Sequence, residues 1–190
     1  LTLPALALAG QQLTAFLPAQ SVTTYVLTNA HPASPSTLPV AWYPLESNAQ
    51  DASSNGHDGI LSGNVLFVPG RLGSQAAQFD GDSGTIQIPR SVSNHFTIAL
   101  WVKTTATGGT GQWWAGKGLV DGEVSGTAED FGVSLVGDKA ALGVGNPDTT
   151  ITSTTAINDG QWHHVTATRD AVSGQMRIYV DGSLQASAQG

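Results

Sequence analysis

The chain has 190 residues, 11% of them charged and 40% hydrophobic, with 23 glycines and no cysteine. A formal net charge of −7, with no run of Lys or Arg, makes nucleic acid and anionic membrane surfaces poor partners; neutral polymers such as polysaccharides stay open. Without cysteine there are neither disulfides nor thiolate metal sites.

The charged fraction is less than half the ~25% of an average soluble domain. Together with abundant Gly, Ser and Thr, it is the balance of an all-β protein with many tight turns. No run reaches the ~18–20 apolar residues needed to cross a bilayer. Leu1 to Gly10 has the apolar character of a signal-peptide tail but neither a Met nor a basic start. A chain beginning mid-pattern with Leu reads as a piece of something longer.

In chain order, residues 1–30 form a first unit. Leu6, Leu13 and Leu17 share roughly one helical side, but Pro4, Gly10 and Pro18 punctuate that run. A β-hairpin is the favoured reading: Gln12 to Leu17, a Pro-Ala turn, then the β-branched Gln20 to Thr28. Asn29 to Leu38 is a linker by composition, and its proline-rich part, 31–38, leads to the main domain at 39–190.

That domain opens with Val40 to Leu45, read as an edge strand because Pro44 cannot donate to a ladder. Asp51 to Gly59 is a turn-rich loop and Gly70 to Gly73 a turn. Ala76 to Gly81 is a strand ending in Asp-Gly, and Thr85 to Pro89 a short alternating strand. Phe96 to Lys103 is the clearest strand. Phe96, Ile98, Leu100 and Val102 fall on a core face; Thr97, Ala99, Trp101 and Lys103 fall on the other, where Trp101 needs its own cover. After a Gly/Thr-rich loop come Trp113 and Trp114, a hairpin of Asp130 to Val136 and Ala140 to Val144 across Gly137-Asp138, and Thr149 to Thr154. The strand around Trp162 and Met176 to Val180 close the series. Spacing of roughly 8–12 residues is the cadence of a β-sandwich.

Six ordered motifs carry a resemblance: Ala41-Trp-Tyr-Pro-Leu45, Asp51 to Gly59, Phe79-Asp-Gly81, Phe96 to Lys103, Asp159-Gly-Gln-Trp-His-His-Val165 and Ile178-Tyr-Val-Asp-Gly182. Their string resembles the laminin-G-like, concanavalin A-like lectin/glucanase domain of bacterial secreted enzymes. The resemblance implies an antiparallel β-sandwich of jelly-roll type and a secreted, extracellular, carbohydrate-binding appendage. It also implies further strands after Tyr179-Val-Asp-Gly182, so a domain stopping at Gly190 reads as incomplete, either less stable than the whole domain or completed by a second chain. Leu17 to Leu27 resembles the closing strand of the accessory β-sandwich beside the barrel of family 30 glycoside hydrolases. That implies a parent glycoside hydrolase as the domain's partner.

Three constellations bear on chemistry. Asp51, Ser53, Asn55 and Gly56 copy the first half of an EF-hand loop, but Ser62 stands where the bidentate Glu belongs, so that motif is rejected. The resemblance still implies a looser structural Ca²⁺ site, with Asp51, Asn55, Asp58, Asp80 and Asp82 as candidates; an Asx turn bonding its own backbone weighs equally. For sugar binding, aromatic rings suit the apolar faces of sugars, and imidazoles and carboxylates suit their hydroxyls. Trp113, Trp114, Trp101, His164 and Tyr179 are the candidates. Core packing outweighs binding for Trp101 and Tyr179, as it does for Trp162. Strand alternation sends one of Trp113 and Trp114 inward and the other outward.

For catalysis, His163 and His164 face opposite ways in a strand and cannot share a metal. Glu46, Glu123 and Glu129 are the only glutamates, and none lies in a glucanase-like Glu-x-Asp-x-x-Glu arrangement. The reading is a non-catalytic lectin-like module that tethers a hydrolase to polysaccharide. The alternatives are a bracing domain of that hydrolase and a glucanase in its own right.

Overall fold

The computed structural model describes residues 39–123, 130–145 and 147–190. The chain divides into two units, Leu1–Pro39 and Val40–Gly190. The 12–28 hairpin and the linker lie outside the described residues, as does Glu129.

In the second unit the strands run β1 (Ile60–Ser62), β2 (Val65–Pro69), β3 (Gln75–Phe79), β4 (Thr85–Gln87), β5 (Phe96–Lys103), β6 (Lys117–Asp121) and β7 (Phe131–Val136). They continue with β8 (Lys139–Val144), β9 (Thr149–Ala156), β10 (Trp162–Asp170), β11 (Gln175–Val180) and β12 (Ser183–Gln189). Two antiparallel four-stranded sheets, ordered β12-β11-β10-β5 and β6-β7-β8-β9, make the sandwich. The hairpin β2-β3 and the pair β1-β4 stand as small two-stranded sheets.

Alternation in β5 decides which side faces the core. Phe96 is buried, and Ile98, Leu100 and Val102 pack behind it against Val165, Ala167, Met176, Ile178 and Val180 of β10 and β11. The opposite sheet supplies Phe131, Val133, Leu135, Leu142, Val144 and Ile151. Phe96 and Phe131 join the two sheets, their ring centroids 4.8 Å apart at a tilt of 37°.

The hairpin of β7 and β8 turns at Gly137, whose φ of +59° is a conformation glycine adopts without strain. Phe131 to Leu135 and Ala140 to Val144 are buried on both faces. One face meets the core; the other is covered by the loop between β5 and β6. That loop is pinned to the hairpin by Gly108 N–H to Gly137 O and Gly137 N–H to Gly109 O, both 2.8 Å.

Two expectations change. Val40 to Leu45 is not a strand but an irregular segment with Leu45 in the left-handed region. Its backbone bonds to side chains and backbone of the following loop instead of a ladder: Trp42 N–H donates to Asp51 Oδ1 at 2.9 Å, and Val40 O accepts from Asn55 Nδ2 at 3.0 Å. Beyond Val180, Ser183–Gln189 forms β12, paired to β11 with a bulge between Ile178 and Tyr179. Its small and polar residues carry little apolar alternation, so sequence reading passed over it.

Candidate functional site: the outer face of one sheet

Ladder register assembles this face. His164 on β10 is the Cα partner of Trp101 on β5, and Thr166, two residues on, is the partner of Tyr179 on β11. Residues two apart share a face, so Trp101, His164 and Tyr179 all stand on the side away from the core, each half-buried. The Trp101 and His164 rings are 5.1 Å apart between centroids, tilted by 54°. The Arg71 guanidinium, from the turn after β2, lies 5.0 Å from the Trp101 ring centroid. This is the cover that Trp101 required. The turn carrying Arg71 is itself held by Glu46, which accepts from Ser74 Oγ, Ser74 N–H and Gln75 N–H. The Ser74 hydroxyl bond leads in holding the Glu46 carboxyl below its ordinary pKa. Burial pushes the His164 pKa down, so the ring is neutral at pH 7 and offers one donor and one acceptor.

The adjacent histidines do face opposite ways. His163 points to the core side at the sheet's end, where Nδ1 meets Asp181 Oδ2 at 2.8 Å and Nε2 meets Asp159 Oδ1 at 3.1 Å. Two carboxylate partners call for two N–H donors, which is an imidazolium. Burial opposes that charge, but the bonds to Asp181 and Asp159 outweigh it and raise the His163 pKa. Asp181 also accepts the His164 N–H at 2.8 Å, so one carboxylate fixes both histidines. Asp181 itself sits at φ +50° in the turn to β12.

Trp113 and Trp114 are separated, but not by strand alternation. They lie on a 3₁₀ turn, Trp113–Ala115. Trp113 is 2% exposed, laid on the outer side of β7 and β8 over the opposed glycines Gly132 and Gly143. Its carbonyl accepts from Ser134 Oγ at 2.8 Å and its N–H donates to Thr150 Oγ1 at 3.2 Å. Trp113 is therefore a structural plug that no ligand reaches. Trp114 is 45% exposed, edge-on to Trp113 at 5.9 Å, and borders a shallow groove with Gly116, Gly118 and Asp121. The sequence signal for the slot is the Gly132/Gly143 pair, two absent side chains across one hairpin, but nothing in it names Trp113 as the ring that fills it.

The Ca²⁺ candidates form two separate backbone clasps. Asp51, its side chain fully buried, accepts from Trp42 and Ser53 N–H through Oδ1, and from Ser53 Oγ and His57 N–H through Oδ2. Burial works to raise its pKa, and these bonds overcome it and hold the carboxyl far below the ordinary range. Asp58 Oδ1 accepts the Asp51 N–H, and Asn55 Nδ2 donates to Val40 O. Asp80 binds the N–H groups of Gly84, Asp82 and Ser83 together with Ser83 Oγ, which likewise hold its pKa far down. Asp82 enters this clasp through its backbone alone. Carboxylates whose oxygens already face N–H and O–H donors do not fit a cation site, and among the described residues no three His, Asp or Glu side chains gather as one.

Two packed antiparallel sheets with an aromatic and imidazole outer face define a lectin-like β-sandwich. A profile of the concanavalin A-like lectin/glucanases superfamily, of the laminin G type, matches residues 80–190, and the chain belongs to that family. Domain 4 of a GH43 extracellular arabinanase from Geobacillus stearothermophilus, solved in complex with arabinotriose, shares the fold with a TM-score of 0.63 and 22% identity. The match covers 80% of this chain and 75% of that one. Domains LG4-5 of the mouse laminin α1 chain align over 53% of this chain and 25% of theirs, with 16% identity and a TM-score of 0.41. A stretch of 40 residues is 42% identical to the Sushi, von Willebrand factor type A, EGF and pentraxin domain-containing protein 1 of Rattus norvegicus, 21% of this chain and 1% of that protein.

Proposed function

We propose that this domain is a carbohydrate-binding module of a secreted bacterial glycoside hydrolase, without a catalytic centre of its own. The observation that carries this reading is the placement of Trp101, His164 and Tyr179 on one non-core sheet face. The Tyr179 ring there meets the C–H face of a sugar, with Trp101 behind His164 and under the Arg71 guanidinium, and the neutral His164 and the Tyr179 hydroxyl meet the sugar hydroxyls. Trp114 is a second, separate contact. Holding the enzyme on its polymer raises local concentration without altering the chemistry. The arabinanase domain of the same fold was solved with an oligosaccharide, which supports starting from that ligand class.

Calorimetry of residues 1–190 against arabino-, xylo-, gluco- and galacturono-oligosaccharides is the test. Saturable binding, weakened about tenfold or ~1.4 kcal/mol by Tyr179→Ala or His164→Ala, is the expected result. No binding to any member would sink the reading. It would leave a bracing role, for which the exposed Val40, Trp42, Ile60, Leu61 and Leu66 of the domain's first third would supply apolar contacts.

A further inference from the structure

The chain has only seven Lys and Arg residues against fourteen Asp and Glu. Three of the seven meet on the outer face just described, although 32 and 74 positions separate them in sequence. Lys103 follows Trp101 by two residues on β5 and is exposed. Arg177 precedes Tyr179 by two on β11 and is exposed. Arg71 sits over Trp101 from the turn above. The register places Thr168 and Thr97 in the Arg177 row, Thr166 and Ala99 in the Tyr179 row, and Trp162 beside Lys103. The interior of the face thus holds no carboxylate.

Carboxylates stand only at its borders, and each is engaged. Glu46 clasps Ser74 and Gln75. Asp181 holds His163 and the His164 N–H. Asp170 takes Val172 N–H and Ser173 Oγ and lies 3.2 Å from His95. Among the described residues, no carboxylate is within ion-pair distance of Arg71, Lys103 or Arg177.

We infer that the glycan this face takes is acidic, a carboxylate-bearing polymer of uronic acid residues. The inference rests on the carbohydrate-binding reading above and narrows it. A guanidinium over an aromatic ring keeps its N–H donors in its own plane, open to a carboxylate in the two-bond fork that arginine favours. Lys103 and Arg177 lie about 20 Å apart along the strands, from six residues at ~3.4 Å each, so they meet different residues of one extended chain. The net charge of −7 does not forbid this, because fields beyond about 8 Å are screened at physiological salt while contact pairs are screened less. Nucleic acid fits less well: a phosphate at every nucleotide calls for a continuous basic track, and here the charges are three isolated points.

The test compares an oligogalacturonate and an oligomannuronate with three controls: the methyl-esterified oligogalacturonate, arabinotriose and oligo-dT. Expected is binding of an acid form that its neutral counterpart lacks, weakened by salt and by about fivefold in Lys103→Ala/Arg177→Ala. The variant Lys117→Ala/Lys139→Ala removes the same charge from the other sheet and leaves binding unchanged. Equal or tighter binding of the ester or of arabinotriose overturns the acidic assignment and leaves the module reading standing. Preference for oligo-dT overturns it as well. Binding of none of the probes, by a protein whose circular dichroism and melting are intact, overturns the assignment and counts against the module.

Discussion

Gly143 lies flat beneath Trp113: a Cβ on Gly143 would fall 1.8 Å from Trp113 Cδ1. Gly132, its partner across the ladder, is as tightly placed, its hypothetical Cβ 2.4 Å from the six-membered ring. The indole fills the room that two missing side chains leave, and this fixes the loop that ends in the exposed Trp114. Gly143→Ala should destabilise the domain by about 1–3 kcal/mol through overpacking. Trp113→Ala should cost about 3–5 kcal/mol. Because the two act on one contact, Gly143→Ala should cost far less in the Trp113→Ala background, which urea unfolding of the double-mutant cycle measures. Additive effects would mean that the indole does not occupy this slot.

The His163 clasp sets a pH window. The folded pKa of His163 is raised above its ordinary 6.5, so its contribution is complete below that value and is lost as pH rises through the folded pKa. Asp159 and Asp181 are shifted below 3.8, so their contribution is present above that value and is lost as pH falls through their folded pKa. The lowered His164 pKa acts the other way, so the His163 share is read from thermal melts as a difference: between about pH 5 and pH 8.5 the wild type should lose more stability, or gain less, than His163→Gln does. An unchanged slope in the variant would assign the pH dependence to other groups.

The Asp51 and Asp80 clasps make a statement about metal. Their oxygens face N–H and O–H donors rather than an open cavity. Chelation should leave the melting temperature where it is, and added Ca²⁺ should not raise it. Asp51→Ala should instead speed proteolysis of the 40–58 segment, since three backbone N–H groups lose their acceptor. A Ca²⁺-dependent rise in melting temperature would restore the cation reading.

Tryptophan emission separates plug from contact. Trp42 and Trp114 are 55% and 45% exposed, while Trp113 is buried. Acrylamide should quench a fraction that Trp42→Phe and Trp114→Phe together remove. Glycan binding on the Trp101 face should shift the remaining emission and leave Trp114 quenching unchanged. Protection of Trp114 by the ligand would move the contact to the groove beside it.

Local pattern was enough for the sandwich class and for strands such as β5, β7 and β8, but not for β1, β2, β6 or β12. Phe96 to Lys103 is a strand with the bounds and the core face that alternation assigns, and the Gly137-Asp138 turn lies where its residues place it. Period-two burial is a short-range property, legible wherever apolar and polar residues alternate. The opposite facing of His163 and His164 was legible for the same reason. Val40 to Leu45 escaped because its backbone partners are side chains of the following loop, and β12 because pairing with β11 rather than apolar pattern makes it a strand.

The sequence by itself determined the class of fold, the core face of β5 and the motifs that mark the family. Only the tertiary structure decided which aromatics are plugs and which are surface. Trp113 is buried by glycines 19 and 30 residues away, a relation no window of sequence contains. It also brought Arg71, Lys103 and Arg177 to one face of a chain whose sequence shows no basic cluster. Ladder register sets which residues of distant strands stand side by side, and it is fixed by the packing of the whole sandwich.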